Sequence, residues 1–355
     1  MELQKWLDTT DYITEFKKHH VQYRKYPKLN LLIIKRAYGS KYSKSKFWLN
    51  YCRGLIIDSR THQIVCTPPQ KAKECTTFEQ FQQKGGTHET LVDGTMINLF
   101  YRDERWYHST RSNIGCTNSW AKDNFYEMFQ ACSEELDYDT LDKDLTYSFV
   151  MRHTKNRVTS RVHKNEIVLV EVYHKGVRQP SVPENKGYTR ICEWSGADLG
   201  SGADLGSGAD LGSGADLSKG LSCLVNGTRY KWLTDDHKFI EMIKPTTNNP
   251  CLNYLILRNS GYLTSYLNFF PEQRFEFANY RKKVHELTKI VHQCYLSVFV
   301  HKTIEKEAIP FALKPLLYEV HGQYLAQKQG ISWTDVKNYI HDLEPRRLQF
   351  VLNNL

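Results

Sequence analysis

Apolar residues recur with two different periods along the chain, near two in the first two thirds and between three and four towards the end. Between Lys28 and Tyr101 the pattern predicts strands. "KLNLLIIKRAY" carries a β-branched core, and "CRGLIIDSRTHQIVCTPP" reads as strand, turn and strand around "DSRTHQ". "GTMINLFYRDERWYHSTRS" repeats that plan with "RDER" at the turn, so two successive β-hairpins are expected. Between Thr117 and Leu141 the period lengthens. Trp120, Phe125, Met128, Phe129 and Cys132 fall near helical spacing, with Asn118 or Ser119 placed to cap the start. Strands resume in "LTYSFVMR", in "EIVLVEVYH" and in "LSCLVNGTRYKWLT", where Asn226-Gly227 marks a tight hairpin turn.

"MELQKWLDTTDYITEFKKHH" lacks the basic start, short apolar core and small-residue cleavage site of a secretory signal, and reads as the first helix of the fold. Residues 195–217 are four copies of a six-residue unit, "SGADLG", the last without its glycine. So few copies bury too little for a β-helix, and glycine with serine favours a flexible inserted loop. After Pro245 the texture becomes helical: "FPEQRFEFANYRKKVHELTKIVHQCYLSVFVHKTI" keeps a three-four spacing, and Thr334-Asp335 is a plausible cap for "TDVKNYIHDL". The fold class is therefore α+β, with a strand-rich domain over residues 1–247 and an all-α C-terminal domain over 248–355.

Composition narrows the chemistry. At 355 residues and 40% hydrophobic content the chain has room for two or three cores, and no apolar run approaches the ~18 residues of a membrane span. The nine cysteines are an odd number with no Cys-x-x-Cys pair, which suits neither a disulfide framework nor a zinc site, and implies reduced thiols in an intracellular compartment. A net charge of +9 favours polyanionic partners through phosphate contacts. His19-His20 are adjacent and point to different helix faces, "SEELDYDTLDKD" reads as a solvated acidic run, and neither a Walker loop nor Gly-x-Ser-x-Gly occurs.

The stretch that carries chemistry is "HETLVDGTMINLFY", His88 to Tyr101, whose centre Leu91-Val92-Asp93-Gly94 has the outline of a Lys-x-Asp-Gly nucleotidyltransferase loop with leucine at the lysine position. It sits in an ordered series. "NYCRGLIID" precedes it with Arg53, "CTPPQKAKE" supplies Lys71, and "YHSTRSNIG" supplies Arg111. Tyr147-Ser148-Phe149-Val150, then Asn156-Arg157-Val158, Lys219-Gly220-Leu221-Ser222 and Lys231-Trp232-Leu233 follow in turn. In this order and spacing the chain, over residues 30–242, resembles the RNA ligase 1 family, the phage-type ATP-dependent RNA ligases among the covalent nucleotidyltransferases. The resemblance implies a nucleotidyltransferase domain of ATP-grasp-like antiparallel sheets, with the helical tail in the place of the family's own helical domain.

The resemblance also implies which residues have changed. The family lysine attacks the α-phosphorus of ATP through a lone pair, which Leu91 lacks, so the first step of ligation is lost. The glutamate expected to accept from the ribose hydroxyl is Ser148, and the one expected to bind or position the divalent metal is Lys219, an ammonium that repels it. Ala72 and Lys73 replace paired phenylalanines, which removes stacking surface for a purine. Leu233 replaces the second lysine of the family's Lys-x-Lys, of which Lys231 is the first. No catalytic residue and no metal ligand is assigned, and ATP and Mg²⁺ are the cofactors implied by resemblance alone. What survives reads as a site for RNA or nucleotide made of Arg53, Lys71, Asp93, Gly94, Arg111, Gly220 and Lys231, with Phe149 as a candidate for base stacking. Lys219 adds to a cationic floor with no nearby carboxylate expected to balance it.

The expected function is that of a catalytically degenerate RNA ligase-like protein, a pseudoenzyme that captures RNA or another phosphate ligand by charge and stacking. Two alternatives stand beside it. In one, ligation persists through Lys84 or another lysine, or by sealing ends already adenylylated. In the other, the chain is a structural or interaction protein, such as a virion component, that meets a protein partner through its helical domain. Such ligases occur in phages, fungi and large DNA viruses. The expected location is cytoplasmic, in the host's cytoplasm for a viral gene, with no membrane partner.

Overall fold

The computed structural model describes residues 2–37, 46–118, 123–180, 187–191, 193–194 and 219–355, so the hexapeptide repeat at 195–217, Cys192, Ser119 and Trp120 lie outside the described residues. Two compact units divide the chain, Met1–Lys238 and Phe239–Leu355.

The first unit opens on α1 (Glu2–Thr9) and α2 (Tyr12–Lys18), not on one helix. Asp11 breaks the run by capping α2, its side chain accepting from the Thr14 N–H at 3.2 Å. An antiparallel sheet follows in the order β1 (Val21–Tyr26), β2 (Leu31–Arg36), β3 (Arg53–Asp58) and β4 (Ile64–Cys66). Its strands have two apolar faces. Leu32, Ile34, Leu55 and Ile57 pack under the two helices against Leu7, Phe16 and Trp48. Leu31, Ile33 and Ile56 pack on Phe100 and Ile114.

The chain next forms β5 (Lys73–Glu74), α3 (Phe78–Gln82) and β6 (His88–Thr90), then the hairpin of β7 (Thr95–Arg102) and β8 (Arg105–Ser109). Asp103 and Glu104 at its tip both hold positive φ, 47° and 62°, the geometry a two-residue turn needs to match strand twist. Helix α4 (Phe125–Cys132) is shorter than expected and is capped by Asn124, not by Asn118. The reason is a reciprocal capping box: Asn124 accepts from the Glu127 N–H at 3.0 Å, while Glu127 accepts from the Asn124 N–H at 3.1 Å.

Strands β9 (Leu145–Arg152), β10 (Glu166–His174), β11 (Val177–Arg178) and β12 (Thr189–Arg190) complete the second sheet, in the order β11, β10, β9, β7, β8 with β12 parallel to β10. Its helix-side face buries Ile97, Leu99, Tyr147, Phe149 and Ile167 against Phe125 and Phe129 of α4. Finally β13 (Gly220–Val225) and β14 (Thr228–Leu233) pair through the Asn226-Gly227 turn and join β5 and β6 in a third sheet, ordered β5, β14, β13, β6. One face of that sheet packs Leu221, Cys223 and Trp232 on Phe81 and Trp194.

Helix α5 (Asp235–Ile243) carries the chain across the division into α6 (Pro250–Asn259), α7 (Leu263–Phe269), α8 (Arg274–Tyr295), α9 (Lys314–Gln327), α10 (Trp333–Asp342) and α11 (Pro345–Asn353). This second unit is helical around one core that includes Tyr254, Leu287, Val291, Leu316, Val336 and Leu348. The cap of α10 is Ser332, two residues before the expected Thr334, because Ser332 and Asp335 form their own capping box. The architecture is thus mixed α and β, with largely antiparallel sheets and a helical C-terminal region.

Candidate functional site

The loop Leu91–Gly94 follows β6, and the Leu91 N–H donates to the Gly220 carbonyl at 2.9 Å, which fixes the loop beside the start of β13. Asp93 is buried and fully used. Its Oδ2 accepts from the Thr159 and Ser160 N–H groups at 2.7 and 3.0 Å, and its Oδ1 accepts from Lys219 Nζ at 2.7 Å. Burial pushes the carboxyl pKa up, but the Lys219 ammonium and the two N–H donors outweigh it and hold Asp93 below the usual carboxylate range. Both glycines here are required by close approach. A Cβ on Gly94 would stand 2.4 Å from the Met151 carbonyl oxygen, and one on Gly220, at φ +131°, 2.1 Å from that of Trp232.

Beside this loop lies a buried ion cluster that joins the second and third sheets. Arg229 on β14 donates through Nε and Nη2 to Glu171 Oε1 of β10 at 3.0 and 2.8 Å, and through Nη1 to Glu89 Oε2 at 2.6 Å and Ser222 Oγ at 3.1 Å. Burial works against the charged guanidinium, but Glu171 and Glu89 more than offset it and raise the Arg229 pKa. Tyr173 donates its hydroxyl to Glu171 Oε2. Arg178 adds a longer ion pair to Glu171 at 3.7 Å. The row continues across the second sheet, where Ser148 is the register partner of both Glu171 and Asn98, and its hydroxyl donates to Asn98 Oδ1 at 2.8 Å. A serine at this position is therefore a satisfied buried hydroxyl in a polar layer between sheets.

The surviving cations do not form one unbalanced floor. Lys219 is neutralised by Asp93, and Lys231 pairs with Glu74 Oε2 at 3.0 Å across the β5–β14 edge. That corrects the expectation of a floor without nearby carboxylates, for a reason of topology: β5 and the Asp93 loop both flank the sheet that carries the lysines. Phe149 is fully buried on the helix side of the second sheet, with Phe129 and Tyr188 ring centroids 6.1 and 5.6 Å away. It is a core aromatic and presents no face to a base, since strand alternation turns it away from Ser148. Lys71 is exposed, and exposed Arg111 donates through Nη2 to the Arg36 carbonyl at 3.2 Å. Arg53 begins β3 half-buried, opposite Lys35. Lys84 stands with its ammonium 5.2 Å from the Tyr230 ring centroid, and Tyr230 packs with the aromatic core on the far side of β14 from Arg229.

The residues present do not suit a divalent cation. Among the described residues no group of three His, Cys, Asp or Glu comes together. At the loop both Asp93 oxygens are occupied, one of them by an ammonium, so a metal ion would meet repulsion where it needs a ligand. Glu171, Glu89 and Arg229 are the residues that sequence reasoning missed. A signal was available: Glu171, the one carboxylate inside the apolar run "IVLVEVY", is of a type seldom buried without a partner.

No protein-family profile matches the chain, and no curated protein matches it. Among solved structures, a chain described as "Putative ATP-dependent DNA ligase from Aquifex aeolicus" is similar at 12% identity over 89% of this chain and 80% of that one, with a TM-score of 0.42. At that identity and score the reading of the site rests on the residues themselves.

Proposed function

We propose that this protein is a catalytically degenerate RNA ligase-like protein that binds RNA or a nucleotide through its phosphates and forms no nucleotidyl-lysine at the motif position. The supporting observation is the pairing around the loop. Leu91 offers hydrocarbon where attack requires an amine, and the motif lysine Lys219 is committed to an ion pair with Asp93 at 2.7 Å. A protonated amine has no lone pair to give. The net charge of +9 supplies the attraction for a polyanion.

Incubating the full chain with labelled ATP and Mg²⁺ or Mn²⁺ tests the first half, and titration of a short RNA at low salt tests the second. The expected result is an unlabelled protein and RNA binding that weakens steeply with salt. A mass increase of one AMP on any lysine, or no RNA binding at low salt, would overturn the reading. The competing alternative is transfer to another lysine such as Lys219, whose ammonium would first have to lose its proton to solvent base, Asp93 being too weak a base, before the amine attacks the α-phosphorus and pyrophosphate leaves. Under that alternative the AMP maps to Lys219 and disappears in Lys219→Arg.

A further inference from the structure

The first sheet carries a feature that the motif residues, Arg53 apart, do not include. A cavity of about 450 Å³ opens between β1, β2 and the segment after β8, lined by Gln22, Arg24, Lys35, Ser112, Asn113 and Asn118 among others, and among the described residues no carboxylate is in its lining. Its volume lies within the ~300–1,000 Å³ range of small-molecule sites. Gln22 and Arg24 alternate on β1, and the register sets Gln22 against Lys35 and Lys35 against Arg53, so one face bears an amide and three cations over three strands.

Charge pairing separates this place from the loop and sheet that carry Lys219, Lys231 and Arg229. Among the described residues, Arg24, Lys35 and Arg53 have no carboxylate partner, while Lys219, Lys231 and Arg229 each have one or more. Arg24 instead lies over the Tyr26 ring, 5.2 Å from its centroid, a contact that positions the guanidinium and leaves its charge uncancelled.

The facing wall is held rigid by its own hydrogen bonds. The Ile114 N–H donates to Tyr26 Oη at 3.0 Å, tying the segment to β1. Asn113 Oδ1 accepts from the N–H and hydroxyl of Thr117 at 3.0 and 3.2 Å, and Thr110 Oγ1 donates to Asn118 Oδ1 at 3.3 Å. Gly54 lets this wall approach the sheet, since a Cβ there would lie 3.1 Å from Arg111 Cα. A preorganised polar wall opposite unbalanced cations suits a phosphate oxyanion, which accepts hydrogen bonds and cancels the charge.

We propose that this pocket, centred on Arg24 and Lys35 and flanked by Arg53, holds a terminal phosphate of RNA and is the principal phosphate site of the protein. The inference rests on the RNA-binding reading above and locates it away from the motif lysines. The test compares a short 5′-phosphorylated RNA with the same RNA bearing a 5′-hydroxyl, using the full chain and inorganic phosphate as competitor. Arg24→Glu with Lys35→Glu should weaken binding of the phosphorylated RNA by about tenfold or more. The Gln pair at the same positions should do so without changing the melting temperature. The slope of log K against log salt should fall by about 0.7 for each phosphate contact removed.

Unchanged affinity in the Glu and Gln pairs, with loss in Lys71→Glu combined with Lys231→Glu, overturns this assignment and leaves the RNA-binding reading standing. Equal affinity for the two RNA ends also overturns it. Failure of the unaltered chain to bind either RNA removes both proposals.

Discussion

Two basic regions of the first unit have opposite electrostatic designs. Around the second and third sheets, three cations are drawn into internal pairs: the motif lysines Lys219 with Asp93 and Lys231 with Glu74, and Arg229, outside the motif series, with Glu171 and Glu89. On the first sheet, Arg24 and Lys35 line a cavity and Arg53 pairs in register with Lys35, and among the described residues none of the three has a carboxylate partner. Charges consumed internally contribute to how the sheets are held, and charges left over can recognise a ligand. The contrast teaches that counting basic residues in a motif series is a poor guide to binding. What matters is whether their field is already cancelled.

The largest expected effect breaks the internally paired side. Among the described residues, Arg229→Met leaves Glu171 buried with the Tyr173 hydroxyl and the longer Arg178 pair. An unpaired buried carboxylate typically costs about 3–5 kcal/mol, so urea unfolding should show a loss of that order. Replacing Arg229 with Met and Glu171 with Leu together should recover most of it, because both desolvation penalties then vanish. If Arg229→Met melts like the unaltered protein, the cluster does not hold the two sheets and the contrast fails.

How much of this was legible in the sequence depends on the range of the interaction. The β7–β8 hairpin and the Asn226-Gly227 turn were readable because strand alternation and turn chemistry are local. The start of α4 lies beyond the expected cap at Asn118 or Ser119, since Asn118 and Asn124 are both good caps and only the Glu127 side chain decides between them. The pairs that define the site were not readable. Asp93 and Lys219 are 126 positions apart and Glu171 and Arg229 are 58 apart, and nothing local announces their meeting. Phe149 failed for another reason: alternation says that Ser148 and Phe149 face opposite ways, but not which face meets the helix.

An intermediate effect concerns acid. The Asp93 carboxyl has a folded pKa below its unfolded value of about 3.9, so its stabilisation is present above that value and is lost as pH falls through the folded pKa. Lys219→Met removes the ammonium but keeps the two N–H donors, so the folded pKa should rise and the acid-induced loss should begin at higher pH. At neutral pH the same change should cost roughly 1–3 kcal/mol, the range for a buried acceptor deprived of a charged donor. Melting temperatures of both proteins across the acid range check this. Parallel pH profiles would mean that the Lys219 contact adds nothing to the field on Asp93.

The smallest effect sharpens the comparison within the paired region itself. Lys231 meets Glu74 at the sheet edge, where the Glu74 side chain is about half exposed, at 51%. Water and salt screen such a pair, and exposed pairs are worth only about 0–1 kcal/mol. Lys231→Met should therefore shift urea unfolding by less than about 1 kcal/mol, and that shift should vanish at high salt. It should also leave RNA affinity nearly unchanged, since the charge it removes was already cancelled by Glu74. A marked loss of RNA binding in Lys231→Met would mean that Glu74 yields the lysine to the ligand, and the line between consumed and available charge would then have to be redrawn at this edge.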